Sequence, residues 1–310
     1  MGSVNEQPVP DEAVAPVVSI LIPVHNRLDR TRACLESIFA NADSSPPFEI
    51  LVLDDGSTDG TAAYLASLGS RVRMIQYSER KTFAEKINAA APRARGEFLC
   101  LLNNDTLVTA GWLENLMARP RTDPRIAVVG NRHLTPETGL INHGGMVINA
   151  RLCPVHLYRG QPADFGPALI SREFQILTAA CWLISKRTFL ALGAFDPQFR
   201  NGFEDVDFCL RARQKGYKVF YAADSVIYHH GLSTPGRTDH ETNNAENFKS
   251  KWGAAIFPDI EDFITDLAPG EVLSMKERIS YVEKLRIRRP LIAGFLLAVI
   301  RLLTSVAKRL

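Results

Sequence analysis

Four short apolar runs with helical patterns between them fix the kind of fold this chain can adopt. Residues 17–22 (closed by Pro23), 49–53, 71–76 and 97–102 have the length and composition of strands. Between them lie Leu28, Cys34, Leu35 and Ile38 on one helical face, then a helix starting at Thr58 with Ala62, Leu65 and Leu68, then a helix over 83–91. Continuous apolar strands are buried on both faces, and consecutive parallel strands need a helical crossover. The alternation therefore predicts an α/β fold with a mainly parallel sheet flanked by helices. Ligands of such sheets bind outside the carboxyl ends of the strands. Pro23, Asp54, Asp55 and Asp105 all fall at those ends.

After Gly130 the rhythm changes. Residues 136–139 read as a hairpin turn, and 151–172 as a long loop of the kind that binds ligands or closes over them. A strand over 179–185, a short helix over 187–192, a helix over 204–215 ended by Gly216, and strands over 219–222 and 226–228 follow. This half is expected to be mixed. The tract 247–252 looks like a helix folding back on the site.

Three polar clusters carry the chemistry. The strand 97–102 runs into Asn103-Asn104-Asp105, which puts an oxygen ligand at a sheet edge, where a hard divalent cation can hold a diphosphate. A second apolar strand ends in Asp54-Asp55-Gly56-Ser57-Thr58-Asp59, and Glu204-Asp205-Val206-Asp207 opens a helix. Together they suggest an enzyme that handles a nucleoside diphosphate. Each cluster also has a plain structural reading. Asp54-Asp55 can cap and turn the chain, Asn103 to Asp105 can form an Asx turn, and acids are common at helix starts.

A net charge of +2 over 310 residues gives no sign of nucleic-acid binding. The five cysteines, without CxxC spacing, read as free thiols in a reducing compartment rather than a zinc site. Residues 1–16 lack an apolar signal core and read as a disordered lead-in. The 17–255 stretch is the expected catalytic domain and 256–310 a helical tail. Beyond Lys284 the tail is basic, and 290–307 is apolar but interrupted by Arg301. Apolar gain of about −4 kcal/mol against about +3 for a central Arg leaves insertion near balance. The tail is therefore expected to lie on an anionic membrane surface, placing the protein in the cytoplasm on the inner face of the membrane. The rival reading docks this helix on the protein itself.

Taken in order, Val18-Ser19-Ile20-Leu21-Ile22-Pro23-Val24-His25-Asn26-Arg27, Asp54 to Asp59, Leu102-Asn103-Asn104-Asp105-Thr106, Gly193-Ala194-Phe195-Asp196 and Phe203-Glu204-Asp205-Val206-Asp207-Phe208-Cys209-Leu210-Arg211 carry a family likeness. The chain resembles the inverting family 2 glycosyltransferases of the GT-A fold, and most of all the bacterial branch that builds O-antigen, rhamnan and other surface polysaccharides. The likeness runs from about residue 17 to about 252. It implies sugar transfer from a nucleotide-sugar donor to a saccharide or lipid-linked acceptor, with Mn²⁺ or Mg²⁺. It assigns Asp205 as the base; Glu204 beside it is expected to orient the acceptor, and the one-turn spacing pairs Asp207 with Arg211. Asp55, with Asp54, Pro23 and His25, would hold the nucleoside. Asn103 or Asn104 would face the ribose or a metal-bound water, and Arg27, Arg80 and Lys81 either the diphosphate or, as ordinary surface charges, the solvent. Asp105 would hold the metal with a late histidine, His229 or its neighbour His230. Trp182 would either pack near the acceptor sugar or fill the core. Loop 151–172 would shape donor choice. Thr82 stands where the branch often has glycine, which would hold the backbone further from the nucleotide. Ile141-Asn142-His143-Gly144-Gly145 and Tyr228-His229-His230 fit the branch.

Two rival functions differ in class. A nucleotidyltransferase would want a glycine-rich phosphate loop after the first strand, where this chain has Pro23-Val24-His25-Asn26-Arg27. An inactive sugar-binding module would not need Asp105 and Asp205. No G-x-G-x-x-G follows a strand, which excludes a Rossmann dehydrogenase.

Overall fold

The computed structural model describes residues 5–6, 15–42, 45–149, 152–231, 239–256 and 259. The tail beyond 260 and most of the lead-in lie outside the described residues. In chain order the elements are β1 (Asn5–Glu6), β2 (Val18–Val24), α1 (Leu28–Ala40), β3 (Phe48–Asp54), α2 (Thr61–Ser67), β4 (Arg73–Gln76) and α3 (Phe83–Ala90). Next come β5 (Phe98–Leu102), β6 (Thr106–Val108), α4 (Trp112–Thr122), β7 (Ile126–Leu134), β8 (Ile141–His143), β9 (Met146–Ile148) and β10 (Pro154–His156). The last are β11 (Arg172–Phe174), β12 (Cys181–Ser185), α5 (Lys186–Ala191), α6 (Glu204–Gln214), β13 (Lys218–His229) and α7 (Glu241–Trp252).

The main sheet has the order β1-β4-β3-β2-β5-β12-β7-β13-β11, with β6 on β13 and β8 on β7. Strands β4, β3, β2 and β5 are parallel throughout, as the strand–helix alternation requires. From β12 onward the sheet is mixed: β12 is antiparallel to both β5 and β7, whereas β13 is parallel to β7. Alternate residues of one strand feed opposite faces. Leu21, Leu51 and Leu53 pack into one core, and Ile20, Ile22, Ile50 and Val52 into another. β9 and β10 pair as a separate two-stranded sheet.

Several elements depart from the sequence-based boundaries for identifiable reasons. The second helix begins at Thr61 rather than Thr58, because Gly60 turns the chain at φ 90°. Asp59 caps two helices at once. Its Oδ2 accepts from the Leu28 amide at 2.8 Å, and its Oδ1 accepts from the Thr61 hydroxyl at 2.6 Å. The two strands expected over 219–222 and 226–228 are one strand, β13, with a register shift between Ala222 and Val226. β1 adds a short strand on the β4 edge within the stretch expected to be an unstructured lead-in. β6, α4 and β7 fill residues 106–134; strand-like pieces were expected only from Asn131 onward, and 106–130 carried no expected element.

Candidate active site

Because β2, β3 and β5 run parallel, their carboxyl ends open on one edge of the sheet. β12 is antiparallel, so its amino end meets the same edge, and the Asn103 amide donates to the Ala180 carbonyl at 2.9 Å. β13 reaches that edge from the other side. It pairs His229 with Thr106, and the His230 amide donates to the Asp105 carbonyl at 3.1 Å. The side chains of one acidic strand end and one late histidine are thus brought together by sheet register.

A cavity of about 360 Å³ opens there. Pro23, His25, Arg27, Lys81, Asn103, Asn104, Asp105, Glu204 and Asp205 line it, along with Arg30, Arg80, Lys86 and Asn201. Most of the expected site residues therefore converge. Asp54 and Asp55 do not line the cavity. Both are buried behind its wall. Asp54 accepts from the Ser57 hydroxyl at 2.5 Å and so fixes the turn after β3. Asp55 accepts from the Lys81 amide at 2.8 Å, and its Oδ2 lies 3.2 Å from Arg80 Nε and 3.3 Å from Lys86 Nζ. Asp55 therefore holds three cavity-lining residues in place. Burial lowers the Lys86 ammonium from its ordinary value, and the Asp55 charge works against that shift.

The loop after β2 is locked to the loop after β3. His25 donates from Nδ1 to the Asp55 carbonyl at 2.9 Å, and the Asn26 amide donates to the Ser57 hydroxyl at 2.8 Å. Asn26 and Arg27 sit at φ 54° and 57°, a left-handed pair of non-glycine residues that costs strain and turns the chain sharply at the cavity. Asn104 is held by Thr31, to which its amide donates at 3.0 Å.

His229 Nε2 lies 3.3 Å from Asp105 Oδ1. That nitrogen is buried and has no hydrogen-bond partner among the described residues, so the short approach is not a well-formed hydrogen bond. An orphaned imidazole nitrogen beside a carboxylate fits a divalent cation. Among the described residues no cluster of three His, Cys, Asp or Glu side chains could hold one. Two side-chain donors leave coordination positions open, as an ion that also holds a diphosphate requires. His230 faces elsewhere, with Nδ1 2.7 Å from Glu137 Oε1 and its other nitrogen against Arg30.

Asp205 stands in the first turn of α6. Its Oδ2 accepts from the Ala179 amide at 3.0 Å and its Oδ1 from the Val206 amide at 2.8 Å. Glu204 is buried, and its Oε2 accepts from the Gly202 amide at 2.6 Å. Behind them Asp207 is fully buried and bonded to Arg211 Nε at 2.8 Å, as expected, and also to Lys251 Nζ and Trp252 Nε1. These contacts dock α7 on the helix that carries Asp205, which is the fold-back expected for 247–252.

One choice left open by the sequence is decided and one expectation is corrected. Trp182 fills the core, the second of its two expected places. It is fully buried in β12 and stacked on Phe195, with ring centroids 5.9 Å apart. No residue of loop 151–172 lines the 360 Å³ cavity. Instead Pro154 and His156 border a second cleft of about 240 Å³, which shares Thr178, Asn201, Glu204 and Asp205 with the first. The sequence reading missed Lys86, Arg30 and Asn201. Lys86 had a signal: it is a charge on the apolar face formed by Ala84, Ile87 and Ala90.

The sequence profile described as glycosyl transferase family 2 matches residues 19–189. An uncharacterized protein, y4gI, of Sinorhizobium fredii is 31% identical over 79% of this chain, which spans 28% of that protein. The O-antigen biosynthesis protein RfbC of Myxococcus xanthus is 30% identical over 69% of this chain, which spans 17% of it. An N-acetylglucosaminyl-diphospho-decaprenol L-rhamnosyltransferase of Mycobacterium tuberculosis is 23% identical, with 77% of this chain and 83% of that protein covered. Among solved structures, the mannosyltransferase PcManGT of Pyrobaculum calidifontis, in complex with GDP-Man and Mn²⁺, superposes with a TM-score of 0.55 at 18% identity. That match covers 96% of this chain and 83% of PcManGT, and shows a shared fold.

Proposed function

This chain belongs to glycosyl transferase family 2, and from that premise we propose that it transfers a sugar from a nucleotide-sugar donor to a glycan or lipid-linked acceptor, with inversion and with a divalent cation. The observation that carries the reading is the convergence of Asp105, His229 and Asp205 on one sheet edge beside a cation-rich cavity. Bound by Asp105 and His229, Mn²⁺ or Mg²⁺ would supply Lewis-acid stabilisation of the leaving diphosphate.

The remaining work falls to the chain. Arg27, Arg30, Arg80, Lys81 and Lys86 surround the cavity and offset the negative charge of a diphosphate. Pro23, His25, Asn103 and Asn104 would bound the nucleoside, while Asp54 and Asp55 act from behind by fixing the turn and the cations. Asp205 would accept the acceptor's hydroxyl proton while that oxygen bonds to the anomeric carbon. The bond from that carbon to the diphosphate breaks, and the nucleoside diphosphate leaves with the electron pair. Two backbone amides and the amino end of α6 favour the ionised carboxylate that this role needs. Glu204 would orient the acceptor. Synthesis of a surface polysaccharide is supported by the named relatives, and attachment to the inner membrane face by the composition of the tail.

Two variants test the reading. Asp105→Ala should abolish Mn²⁺-dependent binding of nucleoside diphosphate, measured by calorimetry, and unchanged affinity would remove Asp105 from the site. Asp205→Asn should cut turnover by about two orders of magnitude or more while leaving donor binding nearly intact. Near wild-type turnover would mean that the proton goes elsewhere.

A further inference from the structure

His229 and His230 are neighbours in the chain but serve different partners. The backbone around them is fixed: the His230 amide donates to the Asp105 carbonyl, and the His229 carbonyl accepts from Asn142 Nδ2, both at 3.1 Å. The His230 ring lies between two charged side chains from distant parts of the chain. Its Nδ1 is 2.7 Å from Glu137 Oε1, and its Nε2 meets Arg30 Nη1. A guanidinium only donates, so Nε2 is bare and Nδ1 carries the proton, which it donates to the Glu137 carboxylate. Arg30, His230 and Glu137 thus form a directed row from the cavity wall to the protein surface.

Two features suit this row to holding Arg30 ready for an anion. The first is competition at the start of α1. Asp29 Oδ2 lies 3.6 Å from Arg30 Nε and is 63% exposed, so it draws the guanidinium towards solvent. His230, with only 13% of its side chain exposed, holds the other end at the cavity. The second is charge. A neutral imidazole orients the guanidinium without cancelling its charge, whereas a carboxylate in the same place would cancel it. The Glu137 charge stands one ring further away, where solvent screens it. The turn that carries Glu137 is itself closed, with the Thr135 amide on the Leu140 carbonyl and the Gly139 amide on the Thr135 carbonyl, both at 2.8 Å.

We propose that Glu137 and His230 are positioning residues that hold Arg30 on the diphosphate of the donor and of the leaving nucleotide. The inference rests on the glycosyltransferase reading and deepens it. Asp105 and His229 would grip the diphosphate through a cation, and the residue after His229 sets the guanidinium that grips it directly. With Arg30 ordered in advance, binding does not have to immobilise a long side chain.

Calorimetry with UDP, GDP and dTDP in the presence of Mn²⁺ tests the proposal, the tightest binder being carried into the variants. Glu137→Ala should weaken that binding about two- to ten-fold, the scale of ordering one long side chain. Arg30→Ala should weaken it about ten-fold or more, the scale of lost hydrogen bonds to a charged group. The double variant should bind no more weakly than Arg30→Ala alone, because Glu137 acts only through Arg30. A general loss of structure would instead lower affinity in the Arg30→Ala background as well. Glu137→Gln should restore most of the affinity, since its amide oxygen still accepts from Nδ1–H although the charge is gone. The inference fails if Glu137→Ala binds as tightly as the wild type, if the two single losses multiply in the double variant, or if Glu137→Gln is as weak as Glu137→Ala. Absence of any nucleotide binding by the wild type would sink the proposed function and this inference with it. Wild-type binding that Glu137→Ala leaves unchanged would sink this inference alone.

Discussion

His143 shows what a single residue commits this fold to. It is fully buried, and burial first, then the neighbouring His133, His156, His229 and Arg159, holds its imidazole well below the ordinary value. Rings of His133, His156 and Tyr221 pack around it. The folded state therefore keeps this imidazole neutral just below pH 6.5, whereas in the unfolded chain it takes up a second proton. Stability contributed by this group is present above about pH 6.5 and is lost as pH falls below it, by about 1.4 kcal/mol per unit. Urea midpoints at pH 7.5, 6.5 and 5.5 should fall accordingly, and His143→Gln should flatten the fall by about one proton. An unchanged slope in that variant would mean that other groups carry the acid sensitivity. In the sequence His143 was legible only as part of the Ile141 to Gly145 motif. Its three histidine neighbours come from β7, β10 and β13, and no local pattern announces a cluster assembled by tertiary register.

At the scale of elements, α3 explains a departure from the family pattern. Thr82 caps this helix in a capping box: its hydroxyl accepts from the Glu85 amide, and Glu85 Oε2 accepts from the Thr82 amide at 2.8 Å. A glycine there would free the backbone but forgo the reciprocal bonds. Thr82→Ala should cost about 1 kcal/mol in chemical denaturation, and Thr82→Gly only a few tenths. Equal midpoints for wild type and the alanine variant would show the box to be idle. The first four parallel strands and their helices were legible because each is buried on both faces and reads as a continuous apolar run. The stretch 106–130 was not, because β6 has three residues and α4 carries Pro120 inside it, which blurs both periodicities. β13 read as two strands because its register shift interrupts the apolar pattern. Asp105, Glu204 and Asp205 were legible as element ends, whereas Lys86 and the second cleft depend on which elements come to face each other.

For the whole molecule, the tail bears on where it works. No helix among the described residues is long and apolar enough to cross a membrane, and the basic tail lies outside them. Removing residues 284–310 should release the protein from anionic liposomes without unfolding the catalytic domain, and binding of the full chain should weaken with salt. A full chain that fails to sediment with such liposomes at low salt would assign the tail to the fold or to an interface between copies. The sheet order carries a consequence for how the chain reaches this state. β12 sits between β5 and β7, yet it leaves the ribosome ~80 residues after β5. At about 5–20 residues per second the edge of β5, Phe98-Leu99-Cys100-Leu101-Leu102, waits roughly 4–16 s for its partner. During that interval an apolar strand edge is open to any other chain. A nascent chain stalled before Ser185 would present that edge permanently, which makes this interval the point where a chaperone matters most to the protein's yield.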